Sequence, residues 1–365
     1  MDLNFFLELL RIPSVTSDVE KVNAAMELMR RHLEAHGVLC TMERCGSRNV
    51  LYASTVPGKT QDFLFNTHLD VVPAAPALFE PQLGADGILR GRGVVDCKGN
   101  AMAVAELMCA LVGRASVGAV FTGDEETGGE SAAYAVARGY GARRLVLVLD
   151  SAAYVLAFAQ KGTVSFTLRA EGSGCHSSIP WKADNPLLRL HGAFSRVLAA
   201  WDERAAADAA LLTDAERDAH WHDSLAPTML RAGEVPNQIP DTAELTVNVR
   251  FTKPDGADRA EALLRAAAGD GVAVLRGHAS PPVFCDEDNP ELLRLLSAMK
   301  ETWPGRDVKF GRMMGATDSR HFVPLNVPIA MFGVDGGNLH EPAEWLRLDS
   351  VDETAAMLMR FVSQP

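Results

Sequence analysis

The stretch that decides the fold is Phe63-Leu64-Phe65-Asn66-Thr67-His68-Leu69-Asp70. It begins as a short apolar run, the signature of a strand buried on both faces, and then breaks into polar residues. On an extended chain residues two apart share a face, so His68 and Asp70 point to one side and Leu69 to the other. Working outward, Val50 to Ser54, Val117 to Thr122 and Leu145 to Leu149 have the same character, each short, apolar and bounded by turn residues. Amphipathic segments accompany them: Lys21 to His36, stopped by Gly37, and the crossover helix Ala101 to Val112. Strands alternating with helices predict βαβ units, an α/β fold with a mostly parallel sheet flanked by helices.

The period changes near Lys161. Val164, Phe166 and Leu168 alternate with polar residues, as do Leu245, Val247, Val249 and Phe251, the pattern of half-buried strands in an antiparallel sheet. Pro186 to Ala207 and Asp258 to Ala268 read as helices, Asp208 to Ser224 as a polar connection and Val272 to Leu275 as a closing strand. Beyond it the opening pattern returns, with a helix at Pro290 to Thr302, a glycine-bearing loop at Gly315, a strand at Ile329 to Phe332 and a terminal helix from Asp349. A chain of 365 residues exceeds the roughly 250 to 300 that one core serves. The expected organisation is one α/β domain, residues 1–162 and 279–365, interrupted by an inserted α+β domain over 163–278.

Composition excludes several classes of function. With 35 Lys and Arg against 47 Asp and Glu, the net charge of −12 opposes binding to nucleic acid or to anionic membranes. No apolar run approaches the roughly 20 residues that span a bilayer. Met1 to Val15 has neither a basic leader nor a small-residue cleavage site and reads as an amphipathic helix. Six scattered cysteines, none in a Cys-x-x-Cys pair, suit a reducing compartment better than a disulfide framework, so the expected location is cytoplasmic.

The chemistry-bearing residues gather where the predicted strands end, the edge at which open α/β sheets bind ligands. His68 has Asp70 placed to support it, as a carboxylate supports an imidazole metal ligand. Asp96 follows Gly91-Arg92-Gly93-Val94-Val95 and reads either as a bridging carboxylate or as a helix cap. Val117 to Thr122 runs into Gly123-Asp124-Glu125-Glu126-Thr127-Gly128-Gly129, where adjacent carboxylates repel one another unless cations or protons offset them. Leu145 to Leu149 delivers Asp150, and Gly336-Gly337-Asn338-Leu339-His340 brings a second isolated histidine. His68, Asp96, Glu126, Asp150 and His340 together offer oxygen and nitrogen donors without a thiolate, a set that suits a catalytic zinc pair. Other chemistries fail on spacing: Gly58-Lys59-Thr60 would need a glycine at Ala53 to complete a phosphate loop, Gly91-x-Gly93 lacks the third glycine of a dinucleotide fingerprint, and no Gly-x-Ser-x-Gly elbow is present.

In the order His68-x-Asp70, Gly-Arg-Gly-x-x-Asp96, Glu125-Glu126, Asp150 and His340, the sequence resembles the M20 family of metallopeptidases and deacylases over essentially its whole length. The resemblance implies a zinc-peptidase-like fold with an inserted lid or dimerisation domain and two divalent metal ions, zinc first, with cobalt or manganese as alternatives. Asp96 would bridge them, His68 and Asp150 would complete one site, and Glu126 and His340 the other. Asp70 would orient His68, and Glu125 would be the general base that takes a proton from the bridging water and passes it to the leaving amine.

Gly174-Cys175-His176-Ser177-Ser178-Ile179-Pro180 resembles the family stretch whose histidine, in dimeric relatives, reaches the partner subunit's site and stabilises the oxyanion. This implies a homodimer through the inserted domain, with His176 catalytic. Asn237 and Arg250 resemble the family's substrate-contacting pair, the guanidinium suiting a substrate carboxylate. Gly315-Ala316-Thr317-Asp318 resembles its Gly-Thr-Ser-Asp loop, with Gly315 and Asp318 beside the substrate and Ala316 where Thr or Ser is common. Glu344, four residues after His340, reads either as a support for the metal ligands or as a helix-start acid. Length and a single compact lid resemble the acetylornithine and succinyl-diaminopimelate deacylases, so the expected reaction removes an acyl group from an N-acyl amino acid. Dipeptidase or carboxypeptidase action is the alternative, and a metal-binding scaffold without catalysis the third.

Overall fold

The structure is a computed structural model and describes residues 1–151 and 153–363. The chain divides into two compact units. One comprises Met1–Ala159, Phe284–Gly311 and the chain from Thr317 onward; the other comprises Gln160–Val283 together with Arg312–Ala316. That last return is a difference from the sequence reading, which placed residues 312–316 with the carboxyl-terminal segment. A five-residue excursion is too short to alter any period, so no sequence signal marks it.

In the first unit the apolar runs become the strands of a central sheet. The first seven strands of its order are Leu39–Cys45, Arg48–Ser54, Val117–Thr122, Thr60–His68, Gly141–Leu149, Ile329–Phe332 and Val155–Gln160. The four strands from Val117–Thr122 to Ile329–Phe332 are mutually parallel, and the pairings outside them are antiparallel. Every residue of Val117–Thr122 is buried, as a strand covered on both faces requires. The helix Lys98–Ala110 is buried continuously from Lys98 to Ala105 and packs on Thr60–His68, Val117–Thr122 and the terminal helix Asp349–Ser363. Leu3–Arg11 is the expected amphipathic helix: the Asp2 side chain caps it by accepting from Phe5 N, and it buries Phe5, Phe6, Leu9 and Leu10.

Parallel strands carry their carboxyl ends to one edge. Here the register sets His68 opposite Thr122, and Leu149 opposite Phe332. A second small sheet, Gly336–Gly337, Trp345–Arg347, Ile88–Arg90 and Gln82–Leu83, pairs Leu346 with Leu89. Its strands have two or three residues, too few to show a period, so no sequence signal marks them. They nevertheless bring the loop of His340 to the loop of Asp96.

The second unit holds an antiparallel sheet ordered Ser224–Ala232, Thr242–Phe251, Gly162–Glu171, Val272–Ser280. Strict alternation along the two central strands buries Val164, Phe166, Leu168 and Ala170 from one and Ala243, Leu245, Val247, Val249 and Phe251 from the other. The helices Pro186–Ala209 and Gly256–Ala268 close that face with Leu190, Val197, Trp201 and Leu264. The polar connection contains a short helix, Asp214–Asp218, with a capping box between Thr213 and Glu216. After it comes the edge strand Ser224–Ala232, exposed along most of its length. It lacks alternation and carries Pro227, tolerable only at an edge or a bulge, so the periodic signal misses it. Among the described residues no helix is long and apolar enough to cross a membrane.

Phe166 is fully buried at the centre of the second unit's core. Phe166→Ala is expected to destabilise that unit by about 3–5 kcal/mol, seen as a lowered urea midpoint for its fluorescence-detected unfolding. A change below about 1 kcal/mol would show that this core does not support the unit as described.

Candidate metal centre

His68, the last residue of its strand, is 1% exposed. Its Nδ1 lies 3.0 Å from the backbone oxygen of Asp70 and 3.4 Å from the Asp70 carboxylate. With acceptors on that side, Nδ1 carries the hydrogen and Nε2 turns toward Asp96, 3.1 Å away, and Asp150, 3.7 Å away. Asp70 is braced in turn. Its carboxylate accepts from Thr16 Oγ1 at 2.7 Å and from the amides of Glu125 and Glu126 at 3.3 and 3.4 Å. Burial pushes Asp70 up, but the bonds from His68 and these donors outweigh it and hold the carboxyl below its ordinary value.

Asp96 presents one oxygen to each histidine: Oδ1 to His68 Nε2 at 3.1 Å and Oδ2 to His340 Nε2 at 3.0 Å. Against the effect of burial, the two imidazoles keep it well below the usual carboxylate range. His340 also lies 3.0 Å from Glu126 Oε2. Its bond to Asp96 raises it to about 8, while burial raises Glu126 to about 7. The donors therefore fall into two groups that share Asp96, one of His68, Asp96, Cys97 and Asp150, the other of Asp96, Glu126 and His340.

Two observations favour cations in these groups. Glu126 Oε1 is buried without a hydrogen-bond partner. Burial, with Asp150 next, pushes Glu125 up to about 10, and burial also raises Asp150. Packed acids with no cation beside them hold protons instead of charge, which is the electrostatic mark of a site shaped for positive ions. Glu125 itself stands outside both donor groups, 11% exposed, with Arg320 Nη1 3.9 Å away. Asp124, the third acid of its turn, accepts from Ser131 N at 3.1 Å and so belongs to the following helix start.

The glycines of that turn are required. Gly129 has φ +70°, and a Cβ there would lie 2.0 Å from Asp318 Oδ1. Asp318 is 1% exposed, and its other oxygen accepts from Thr122 Oγ1 at 2.7 Å. Asp318, expected beside the substrate, lies under the Glu125 turn, where it ties the strand end of Thr122 to the 318–325 segment. Burial pushes it up to about 7.

The other expected residues lie in the second unit. His176 is exposed on the short strand Cys175–His176, and its Nδ1 is 2.8 Å from Ser178 Oγ. The exposed Asn237 accepts Ser177 N through its backbone oxygen at 2.9 Å. Arg250 is half-buried near the end of Thr242–Phe251 and donates through Nε to Asn248 Oδ1 at 3.1 Å. Gly315 is exposed in its loop.

Three supporting residues escape sequence reasoning. Cys97 is buried within the first donor group, its thiol donating to Leu149 O at 2.9 Å and pushed up by burial to about 11. The expected donor set omitted it. Thr16 braces Asp70 as described. Arg92 joins Glu344, 1% exposed, whose carboxylate accepts Arg92 Nη1 at 2.6 Å and the amides of Gly93, Val95 and Asp96 at 2.9, 3.0 and 3.2 Å. Arg92 Nη2 reaches the backbone oxygens of His340 and Glu341 at 3.1 and 3.4 Å. The one available signal for Arg92 was a charge set between two glycines in an otherwise apolar stretch.

Comparison with known proteins places this arrangement. A profile of peptidase family M20/M25/M40 matches residues 64–364. The succinyl-diaminopimelate desuccinylase of Dinoroseobacter shibae is 27% identical over 97% of this chain and 96% of that protein. That of Phenylobacterium zucineum is 29% identical over 98% and 96%. Among solved structures, an M20 family metallo-carboxypeptidase from Sulfolobus solfataricus superposes with a TM-score of 0.81 at 18% identity, covering 100% of this chain and 99% of the other. A tripeptidase from Staphylococcus aureus gives 0.78 at 16% identity, covering 99% and 96%. These likenesses confirm the α/β fold with a mostly parallel central sheet, and with the profile match over most of its length the chain belongs to peptidase family M20/M25/M40, as a metal-dependent hydrolase of amide bonds.

Proposed function

We propose that this hydrolase removes the acyl group from an N-acyl amino acid. The observation that carries the reading is Asp96, which offers one carboxylate oxygen to each of two histidines, with a further acid, Glu125, standing outside both donor groups. The end-to-end match to desuccinylases favours deacylation over dipeptide or carboxypeptidase cleavage. His68, Asp96 and Asp150 would hold one divalent ion and Asp96, Glu126 and His340 the other, zinc in the first instance and cobalt or manganese as alternatives. Bound there, they would supply Lewis acidity and lower the pKa of water.

The chain's own residues would do the rest. Glu125 takes a proton from the attacking water and returns it to the leaving amine. A base must be ionised, and burial holds Glu125 protonated, so competence requires positive charge beside it. Asp70 keeps His68 in the tautomer that turns Nε2 inward. Arg250 and Asn237 would receive the substrate carboxylate, with the loop at Gly315 beside them, and His176 would donate to the developing oxyanion. A homodimer formed through the second unit fits its edge strand Ser224–Ala232, where Met229 and Leu230 are 45% and 67% exposed. An edge with apolar side chains and open backbone groups is a template for pairing with another strand.

A hydrolysis screen of N-succinyl, N-acetyl and dipeptide substrates, with zinc, cobalt or manganese supplied to the stripped protein, tests the assignment. Release of an amino acid from one acyl class is expected, and cleavage of dipeptides alone would move the reading to peptidase. In the same assay Glu125→Ala is expected to keep its metal content and lose turnover by roughly 100-fold to 10,000-fold. Turnover near wild type would remove Glu125 from the mechanism.

His176→Ala is expected to lower kcat by roughly 100-fold to 1,000-fold with metal content and melting temperature unchanged. Loss of metal or of stability in place of kcat would count against the oxyanion role.

Metal binding must displace protons from the second donor group, where His340 titrates at about 8 and Glu126 at about 7. Both groups bind metal only when deprotonated, so affinity is expected to fall as pH drops through 8 toward 6, roughly tenfold per unit for each proton displaced. Calorimetry in buffers of different ionisation enthalpy reads the protons released. A pH-independent affinity would contradict this donor group.

A further inference from the structure

Three donors cluster apart from the strand-end site. His32 and His36 stand one turn apart on one side of Val19–Ala35, His36 being its C-cap. Cys109 lies in the last turn of Lys98–Ala110. One ligand atom from each residue lies within 4.8 Å of the other two. Lys98, at the start of that helix, adjoins the Asp96 loop, whereas Cys109 is roughly 16 Å further along the axis at about 1.5 Å per residue. The cluster therefore occupies the end of the helix away from the strand-end donors.

Each side chain is prepared to coordinate. His36 Nδ1 is 2.8 Å from the backbone oxygen of His32. A carbonyl can only accept, so Nδ1 carries the hydrogen and Nε2 is the nitrogen left for a metal, the arrangement that orients metal-bound imidazoles. The His32 ring stacks on Phe5, with centroids 3.7 Å apart and 14° between planes, which fixes its direction. Burial, with His36 next, lowers its pKa, so it is neutral and able to coordinate near pH 7. Cys109 is a free, partly buried thiol that burial pushes up to about 12. Without a cation it is inert, and only a bound ion would make it a thiolate. Asp2 and Glu106 are close enough to act on His32 and would offset the charge left on a divalent ion by two imidazoles and one thiolate.

We propose that His32, His36 and Cys109 form a third divalent metal site, of the zinc class, with its fourth position open to water. The mixed nitrogen and sulfur donors select zinc or cobalt over magnesium or calcium. Its role is to clamp the carboxyl ends of two helices, Val19–Ala35 and Lys98–Ala110, to each other.

The full chain, stripped with a chelator, reloaded with excess cobalt(II) and dialysed, is compared with Cys109→Ser and His36→Asn by metal analysis and near-ultraviolet absorption. Wild type is expected to hold one more cobalt per chain than either variant and to show a thiolate-to-cobalt charge-transfer band that Cys109→Ser loses. Equal cobalt content in all three chains, or a band no weaker in Cys109→Ser than in wild type, would overturn the site. His36 is exposed, so His36→Asn keeps the comparison decisive if Cys109→Ser fails to fold. All three chains retain the strand-end donors, so a failure of the two-metal reading would lower every count alike and leave the difference between them intact.

Discussion

Asp96 stands where it does because Glu344 holds the backbone beneath it. A buried ion pair is weak evidence of stability when its lone pairs go unused, since desolvation can exceed the Coulombic gain. Here both oxygens of Glu344 are occupied, one by Arg92 and Gly93, the other by Val95 and Asp96. Burial still raises this carboxyl, which measures how much of its charge the four donors must offset. The same guanidinium reaches the backbone of His340, so the two loops that carry the shared acid and the second histidine are keyed to one cation. Losing either member would strand the other charge in the interior, a cost of about 3–5 kcal/mol.

Around that clip the fold accepts a crowd of acids that would otherwise repel. It does so by giving each a different neighbour: Thr16 and two amides for Asp70, Ser131 for Asp124, Thr122 for Asp318. Burial nevertheless raises Asp124 and Asp318 along with Glu125, Glu126 and Asp150, and Asp70 alone among the braced acids is held below its ordinary value.

The strand-end positions of His68, Asp96, Glu126, Asp150 and His340 were legible because each follows an apolar run or a glycine turn, signals that act over a few residues. The two central strands of the inserted unit were legible because alternation persists for ten residues in each. What stayed hidden depends on distance or on the lack of a period. Arg92 and Glu344 are separated by 252 positions, and nothing local in either marks the other. The small sheet of Leu89 and Leu346 has strands too short to alternate. Ser224–Ala232 is exposed because it is an edge and shows no alternation, so the rule that finds buried strands passes over it. Asp318 reads in the sequence as a loop acid, and only the fold shows its packing under Gly129 and its bond to Thr122.

The strand Ile329–Phe332 lies between Gly141–Leu149 and Val155–Gln160, so a place inside the central sheet is filled by residues that follow the second unit's main stretch in the chain. Domains emerging from the ribosome fold as units once their contacts are present. The second unit draws most of its residues from one continuous stretch, Gln160–Val283, and can settle while the sheet of the first still waits with a gap beside Leu149. The loops of His340 and Glu344 arrive later still. A chain cut before His340 therefore carries the acids of the strand ends without the Arg92–Glu344 clip beneath Asp96.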